Sequence, residues 1–195
     1  RGCVARRAGP AARHDHADRL VDDDYTAPGY TGRMILDLPA YTAFHTALSL
    51  IAIVAGIVVV AGLFGRERQP VWNALFLASA LVTSATGFGF PAAQITPAHV
   101  VGVLSLIAVA AAGAARYRFR LAGIWRRVYA INAVAVLYFL VFVLIAQAFL
   151  KVGLLNELAP SLSEPPFAIA QGIALAFFLL VGIAAVLRRP LPHSA

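Results

Sequence analysis

The stretch RYRFRLAGIWRR, Arg116 to Arg127, places five arginines between two long apolar runs. Outward from it, Arg66 and Arg68 follow the first apolar run of the chain, and Arg188 and Arg189 follow the last. The connections in between differ in kind. Phe90 to Thr96 carries no charge, and the segment after Leu150 holds only Lys151, Glu157 and Glu164. Cytoplasmic loops of membrane proteins retain Lys and Arg, so this alternation predicts a chain that crosses a bilayer at every apolar run. With the arginines inside, the N-terminus before the first run faces out and the C-terminus lies in the cytoplasm.

The runs are Ala43 to Phe64, Val71 to Phe90, Ala98 to Ala115, Val128 to Leu150 and Phe167 to Leu187. About 20 apolar residues in helix cross a hydrocarbon layer roughly 30 Å thick, and each run satisfies that length. Helix is the conformation that satisfies every backbone polar group in lipid, whereas a barrel needs shorter segments that alternate in polarity. Prolines agree with these bounds: Pro70 opens the second run, Pro91 and Pro97 bracket the next connection, and Pro165-Pro166 precede the fifth. The predicted fold is therefore an all-α integral membrane bundle of five transmembrane helices, over residues 34–189, with a short cytoplasmic tail at 190–195.

Composition supports the class. Hydrophobic residues make up 61% and charged residues 13% of 195, and the mean hydropathy is +0.79. A water-soluble domain of that length could not shelter so much apolar surface, so lipid is expected as the main partner. The net charge of +7 does not point to nucleic acid, because the arginines beyond residue 33 stand at run ends where topology accounts for them. A single cysteine, Cys3, excludes a disulfide within the chain.

Residues 1–33 are of another character, with Arg6-Arg7, Asp22-Asp23-Asp24, Pro10, Pro28 and few large apolar side chains. They are expected to be a polar disordered tail or an over-extended reading frame, with Met34, the one methionine, as the favoured native start. His14 and His16 beside the aspartates are expected to belong to that tail and to hold no metal.

Within the runs, small residues recur at four-residue spacing: Ala52 and Gly56; Ser79, Thr83 and Gly87; Ala108 and Ala112; Ala168, Gly172 and Ala176. Such stripes allow close helix approach, inside one chain or between copies of it. The arginine-rich connection, with Tyr117, Phe119, Leu121, Ile124 and Trp125 interleaved, suits a segment lying on an anionic membrane surface. No internal repeat supports an inverted-repeat transporter.

Polar side chains inside spans are expensive and so carry information. Counted from the middle of each run, His45, Thr83, Ser84, Thr86, His99, Gln147 and Gln171 all fall in the outer half. Five helices thus each bring a polar group to one layer. Two histidines from different helices can ligate haem b or contact a quinone. They can equally sit at the headgroup level as interfacial residues. The glutamines are candidates for interhelical hydrogen bonds, and Thr83, Ser84 and Thr86 for bonds to their own helix backbone.

MILDLP at 34–39, AFHT at 43–46, TGFGFP at 86–91, PAH at 97–99 and EPPFA at 164–168 form a recognisable set. As a set they resemble uncharacterised small multi-pass inner-membrane proteins of proteobacteria. The resemblance covers Met34 to about Arg189. It implies the fold and a place in the bacterial cytoplasmic (inner) membrane, and it carries no catalytic residue.

Enzyme signatures are missing. Asp37, Glu67, Glu157 and Glu164 all stand in connections or at run ends, no serine has a base in a familiar arrangement, and no phosphate loop follows a strand. The expected function is a non-catalytic accessory or assembly component with a polar cavity toward the outer face, associated with a membrane protein partner or with copies of itself. The alternative is a membrane redox protein holding haem b or quinone through His45 and His99. A weaker one is a small-solute permease.

Overall fold

The structure, a computed structural model, describes residues 38–65, 69–90 and 97–188. The expectations for residues 1–33, Arg66 to Arg68, Pro91 and Arg189 fall outside the described residues. The chain divides into two units, residues 1–40 and 41–195, and the second holds every helix but the opening residues of the first one.

Among the described residues every regular element is helical: α1 Leu38–Gly62, α2 Pro70–Gly87, α3 Pro97–Gly113, a π-helical turn Ala114–Arg118, α4 Trp125–Lys151, α5 Gly153–Leu158 and α6 Pro165–Leu187. Four segments, Pro39–Gly62, Ala98–Arg118, Trp125–Lys151 and Pro165–Leu187, are long and apolar enough to cross a membrane. The second helix differs. Its 18 residues rise about 27 Å, a little short of a hydrocarbon core of roughly 30 Å. It also includes Asn73, Ser79, Thr83, Ser84 and Thr86.

Successive long helices alternate in direction, as connections this short require. The C-terminal ends of α1, α3 and α6 and the N-terminal ends of α2 and α4 together line one cavity. At the other end Tyr41 and His45 of α1 meet Phe90 beyond α2, His99 of α3 meets Phe88, and Phe149 of α4 meets Phe167 of α6. The described arginines Arg116, Arg118, Arg120, Arg126, Arg127 and Arg188 thus belong to one end of the bundle. Lys151, closing α4, belongs to the other.

Helix α4 is the hub: α3 and α6 both pack along it, and α2 packs on α3. Small side chains set the spacing, with Ala52, Ala55, Ala80, Ala112 and Ala133 fully buried. Close approach gains dispersion contacts, the main attraction available where lipid is as apolar as the core. Gly56 lies against Phe76 of α2 and Leu137 of α4 and so joins α1 to both. Large apolar groups, including Val54, Ile57, Ile107, Ile131 and Leu180, point outward. Lipid solvates such a surface and water does not. Helix α6 is the least enclosed, with 11% of its spanning window buried against 33% for α1 and α4.

The arginine-rich connection is more compact than a surface-lying segment. Helix α3 runs on into the π turn, where the Phe119 amide donates to the Ala114 carbonyl at 3.0 Å. The chain then reverses through positive φ at Arg120, Leu121 and Gly123. Phe119 stacks on Trp125 with ring centroids 3.6 Å apart, which fastens the reversal to the first residue of α4. The short helix α5 has no counterpart in the apolar pattern.

Candidate functional site

Of the polar side chains expected at one depth, His45, Thr86, Ser84 and Gln171 make bonds between helices. His45 of α1 lies 2.9 Å from the Thr86 hydroxyl through Nδ1. The same hydroxyl is also within reach of the Val82 carbonyl at 2.8 Å. The bond takes either sense: an imidazole carrying its hydrogen on Nδ1 donates to the Thr86 oxygen, and one carrying it on Nε2 accepts the hydroxyl proton. Tyr41, one turn before His45, donates to the Thr86 carbonyl at 2.5 Å. Both rings also pack on Phe90, at centroid distances of 5.0 Å for Tyr41 and 5.1 Å for His45. Gly89 is where this clasp needs an absent side chain, since a Cβ there would run into the Tyr41 hydroxyl.

His99 packs on Phe88 at 5.7 Å. Gly102, one turn on, makes room for that phenylalanine, whose ring would stand 3.1 Å from a Cβ at the position. The two histidines thus engage the same segment, Thr86 to Phe90, through different phenylalanines. Deeper in, Ser84 of α2 and Ser105 of α3 share a buried hydrogen bond of 2.8 Å. Thr83 is buried, and its hydroxyl oxygen has no partner among the described residues. Gln171 of α6 donates to the Phe142 carbonyl of α4 at 3.0 Å, an interhelical bond of the expected kind, while its Oε1 is buried and unpartnered among the described residues. Gln147 is exposed on α4. Among the described residues no group of three or more His, Cys, Asp or Glu side chains gathers as a metal site would need.

Two cavities open at the opposite end. The first has a volume of about 220 Å³ and is walled by Arg116, Arg126, Arg127, Gln69, Asn73 and Tyr129 together with apolar groups from α1, α4 and α6. An adjoining hollow of about 420 Å³ shares Leu121, Arg126 and Arg127. The walls are braced by polar contacts. The Tyr129 hydroxyl donates to Asn73 Oδ1, and Asn73 Nδ2 donates to the Gln69 carbonyl at 2.7 Å. Arg126 donates to the Arg188 carbonyl at 2.8 Å, and Arg188 in turn donates to the Phe64 carbonyl at the end of α1. The Arg116 guanidinium lies over the Tyr129 ring, 5.8 Å from its centroid.

Sequence reasoning set His45 and Thr86 at one depth, and they are partners. It passed over Tyr41, whose signal was its place four residues before His45 on the same helix face. The arginines were expected to mark topology and to lie on an anionic membrane surface, and the cavity they line was not foreseen.

The class so defined is an all-α protein whose long apolar helices are fit to cross a membrane, clasped by polar bonds at one end and basic at the other. No protein-family model, no curated protein and no solved structure matches the chain.

Proposed function

We propose that the chain is a non-catalytic component of a bacterial cytoplasmic membrane, an accessory or assembly subunit, crossing the bilayer five times with its arginine end in the cytoplasm. The observation that carries the non-catalytic reading is the use made of the polar layer. His45, Tyr41, Thr86, Ser84, Ser105 and Gln171 spend their hydrogen bonds holding helices together, as structural polar groups in membrane bundles do.

Support for the fifth crossing comes from the second helix. Asn73, Ser79, Thr83 and Ser84 are buried, while Val71, Trp72, Leu75, Leu81 and Val82 are exposed. The residues that lower its hydropathy therefore face protein, and the face left over is apolar. The arginine distribution supplies the orientation. Reporter fusions after residues 94 and 122 are expected in opposite compartments, and the same compartment for both defeats the five-crossing map. Purification in mild detergent is expected to retain a partner membrane protein in fixed stoichiometry. A chain that purifies alone, from cells producing it at native level, counts against the accessory role.

A specific observation favours a second reading, in which the protein holds haem b or a quinone. His45 Nδ1 is engaged by Thr86, and in the tautomer that donates from Nδ1 the Nε2 lone pair is the one available to a metal, as in ligating histidines whose other nitrogen is hydrogen-bonded. Purified protein supplied with haem would then show a Soret band that disappears in both His45→Ala and His99→Ala. A colourless preparation rejects haem.

A further inference from the structure

We propose that the cavity at the arginine end is a binding site for a phosphate ester. Topology requires only that arginines stay on one side of the bilayer, which exposed side chains satisfy. Arg118 and Arg120 are of that sort, exposed and outside the lining of both cavities. Arg116 and Arg126 are not: both are half-buried and, with Arg127, face a common hollow of about 220 Å³. Guanidinium groups withdrawn from water need compensating partners. Arg116 has the faces of Tyr117 and Tyr129, and Arg126 has one carbonyl, that of Arg188. A guanidinium has five N–H donors, so these contacts leave most of each group's capacity directed elsewhere. Among the described residues the carboxylates are Glu157 and Glu164, on α5 and at the start of α6, and neither lines the cavity. Against three guanidinium groups the described wall sets one unpartnered acceptor, Gln69 Oε1, so its complement is an anion with several acceptor oxygens.

Size and surroundings narrow the chemistry. The hollow is smaller than the roughly 300–1,000 Å³ typical of pockets for drug-sized ligands, so it takes a headgroup-sized object. Planar guanidinium forks match the oxygens of a phosphate in pairs, which distinguishes a built site from a diffuse positive surface. Val59, Leu63, Leu121 and Ala185 complete the lining and give the site an apolar side, as befits an ester of an apolar alcohol at a membrane edge. The phosphate can come from an anionic phospholipid or from a soluble ester, and the same chemistry recognises both.

The test uses the full chain in neutral detergent micelles, with binding followed by native mass spectrometry and by fluorescence titration. Four probes are compared: phosphatidylglycerol, phosphatidylcholine, glycerol 3-phosphate and inorganic phosphate. Phosphatidylglycerol is expected to bind well ahead of phosphatidylcholine, whose ammonium the arginines repel. The double variant R116Q/R127Q is expected to weaken it about tenfold or more, and R118Q/R120Q, which removes the same charge outside the cavity lining, by less than about threefold. R116K/R127K keeps the charge, loses the fork and should fall between them. Competition by glycerol 3-phosphate or inorganic phosphate at concentrations comparable to the lipid assigns the site to soluble esters. A need for about hundredfold excess assigns it to lipid. Equal losses in the two Gln pairs, or no preference between the two lipids, overturns the proposal. Circular dichroism and monodispersity establish that each variant folds, and R127Q, altering an exposed side chain, carries the comparison should R116Q/R127Q fail to.

Discussion

Gly56 of α1 lies so close to Phe76 of α2 that a Cβ at position 56 would stand 2.7 Å from Cε2 of the ring and 2.9 Å from Cδ1 of Leu137. Phe76 is wholly buried and Leu137 nearly so, so neither can swing aside. Three helices therefore meet at a point where only hydrogen fits. Gly56→Ala is expected to destabilise the bundle by up to about 2 kcal/mol, with overpacking of roughly 1–3 kcal/mol set against a gain of about 1 kcal/mol in helix propensity. Gly172→Ala, where nothing lies within 4 Å, should be neutral or stabilising. Thermal unfolding in detergent distinguishes the two, and equal melting temperatures would refute the close packing.

The bond between His45 and Thr86 gives a second prediction. Thr86→Val keeps the volume and removes the hydroxyl, and His45→Phe keeps a ring and removes the nitrogen that bonds to it. Interhelical hydrogen bonds in membrane proteins average about 0.6 kcal/mol and reach about 1.7 kcal/mol. The double-mutant cycle should return a coupling in that range, because each partner is in direct contact with the other. Additive losses would mean that the pair does not interact.

A cycle on Ser84 and Ser105 is expected to behave differently. Either oxygen can donate in their bond, and serine in a helix can turn its hydroxyl to its own backbone four residues earlier. Ser84→Ala alone should therefore change stability by less than about 1 kcal/mol, and the double variant should be little worse than either single one. A loss of several kcal/mol from one substitution would show that the hydroxyl left behind finds no new partner.

Glu164, outside the spans, provides a pH-dependent check. Its carboxylate accepts from the Ser161 hydroxyl at 2.8 Å and from the Ser163 amide at 3.0 Å. The serine hydroxyl above all holds its pKa below the ordinary value of 4.5. A lowered carboxyl pKa stabilises the folded turn above the unfolded pKa, and that stabilisation is lost as pH falls through the folded value. Carbon-13 NMR of the Glu164 carboxyl should show the lowered midpoint, and Ser161→Ala should move it back toward 4.5. A midpoint unaffected by Ser161→Ala would remove serine as the cause.

The apolar runs located the helices closely, because length and hydropathy act on whole segments. Val128 to Leu150 became Trp125–Lys151, gaining Arg126 and Arg127 at its start, since arginine is a good helix former whose charge can extend past the end of a span. What the runs could not give was the azimuth of each helix. Segments apolar on all sides carry no rotational signal, so depth placed Gln147 and Gln171 together although one is exposed and the other bonds to α4. The small-residue stripes show the same limit. Ala52 with Gly56, and Ala108 with Ala112, are buried at contacts, whereas Ala168, Gly172 and Ala176 face outward. The cavity at the arginine end escaped notice because its residues come from distant connections, and orientation already accounted for them.

The widened turn at Ala114–Arg118 carries one residue more than a regular helix would need to cover the same rise. Each residue of an α-helix advances the side chains by about 100° around the axis. Deleting Ala114 or Ala115 would thus let a regular turn take up the same rise, so that Arg116 and Arg118 within it would point in new directions without the loss of a charge. Chain length in this loop, more than the chemistry of any one of its members, sets the aim of the basic face.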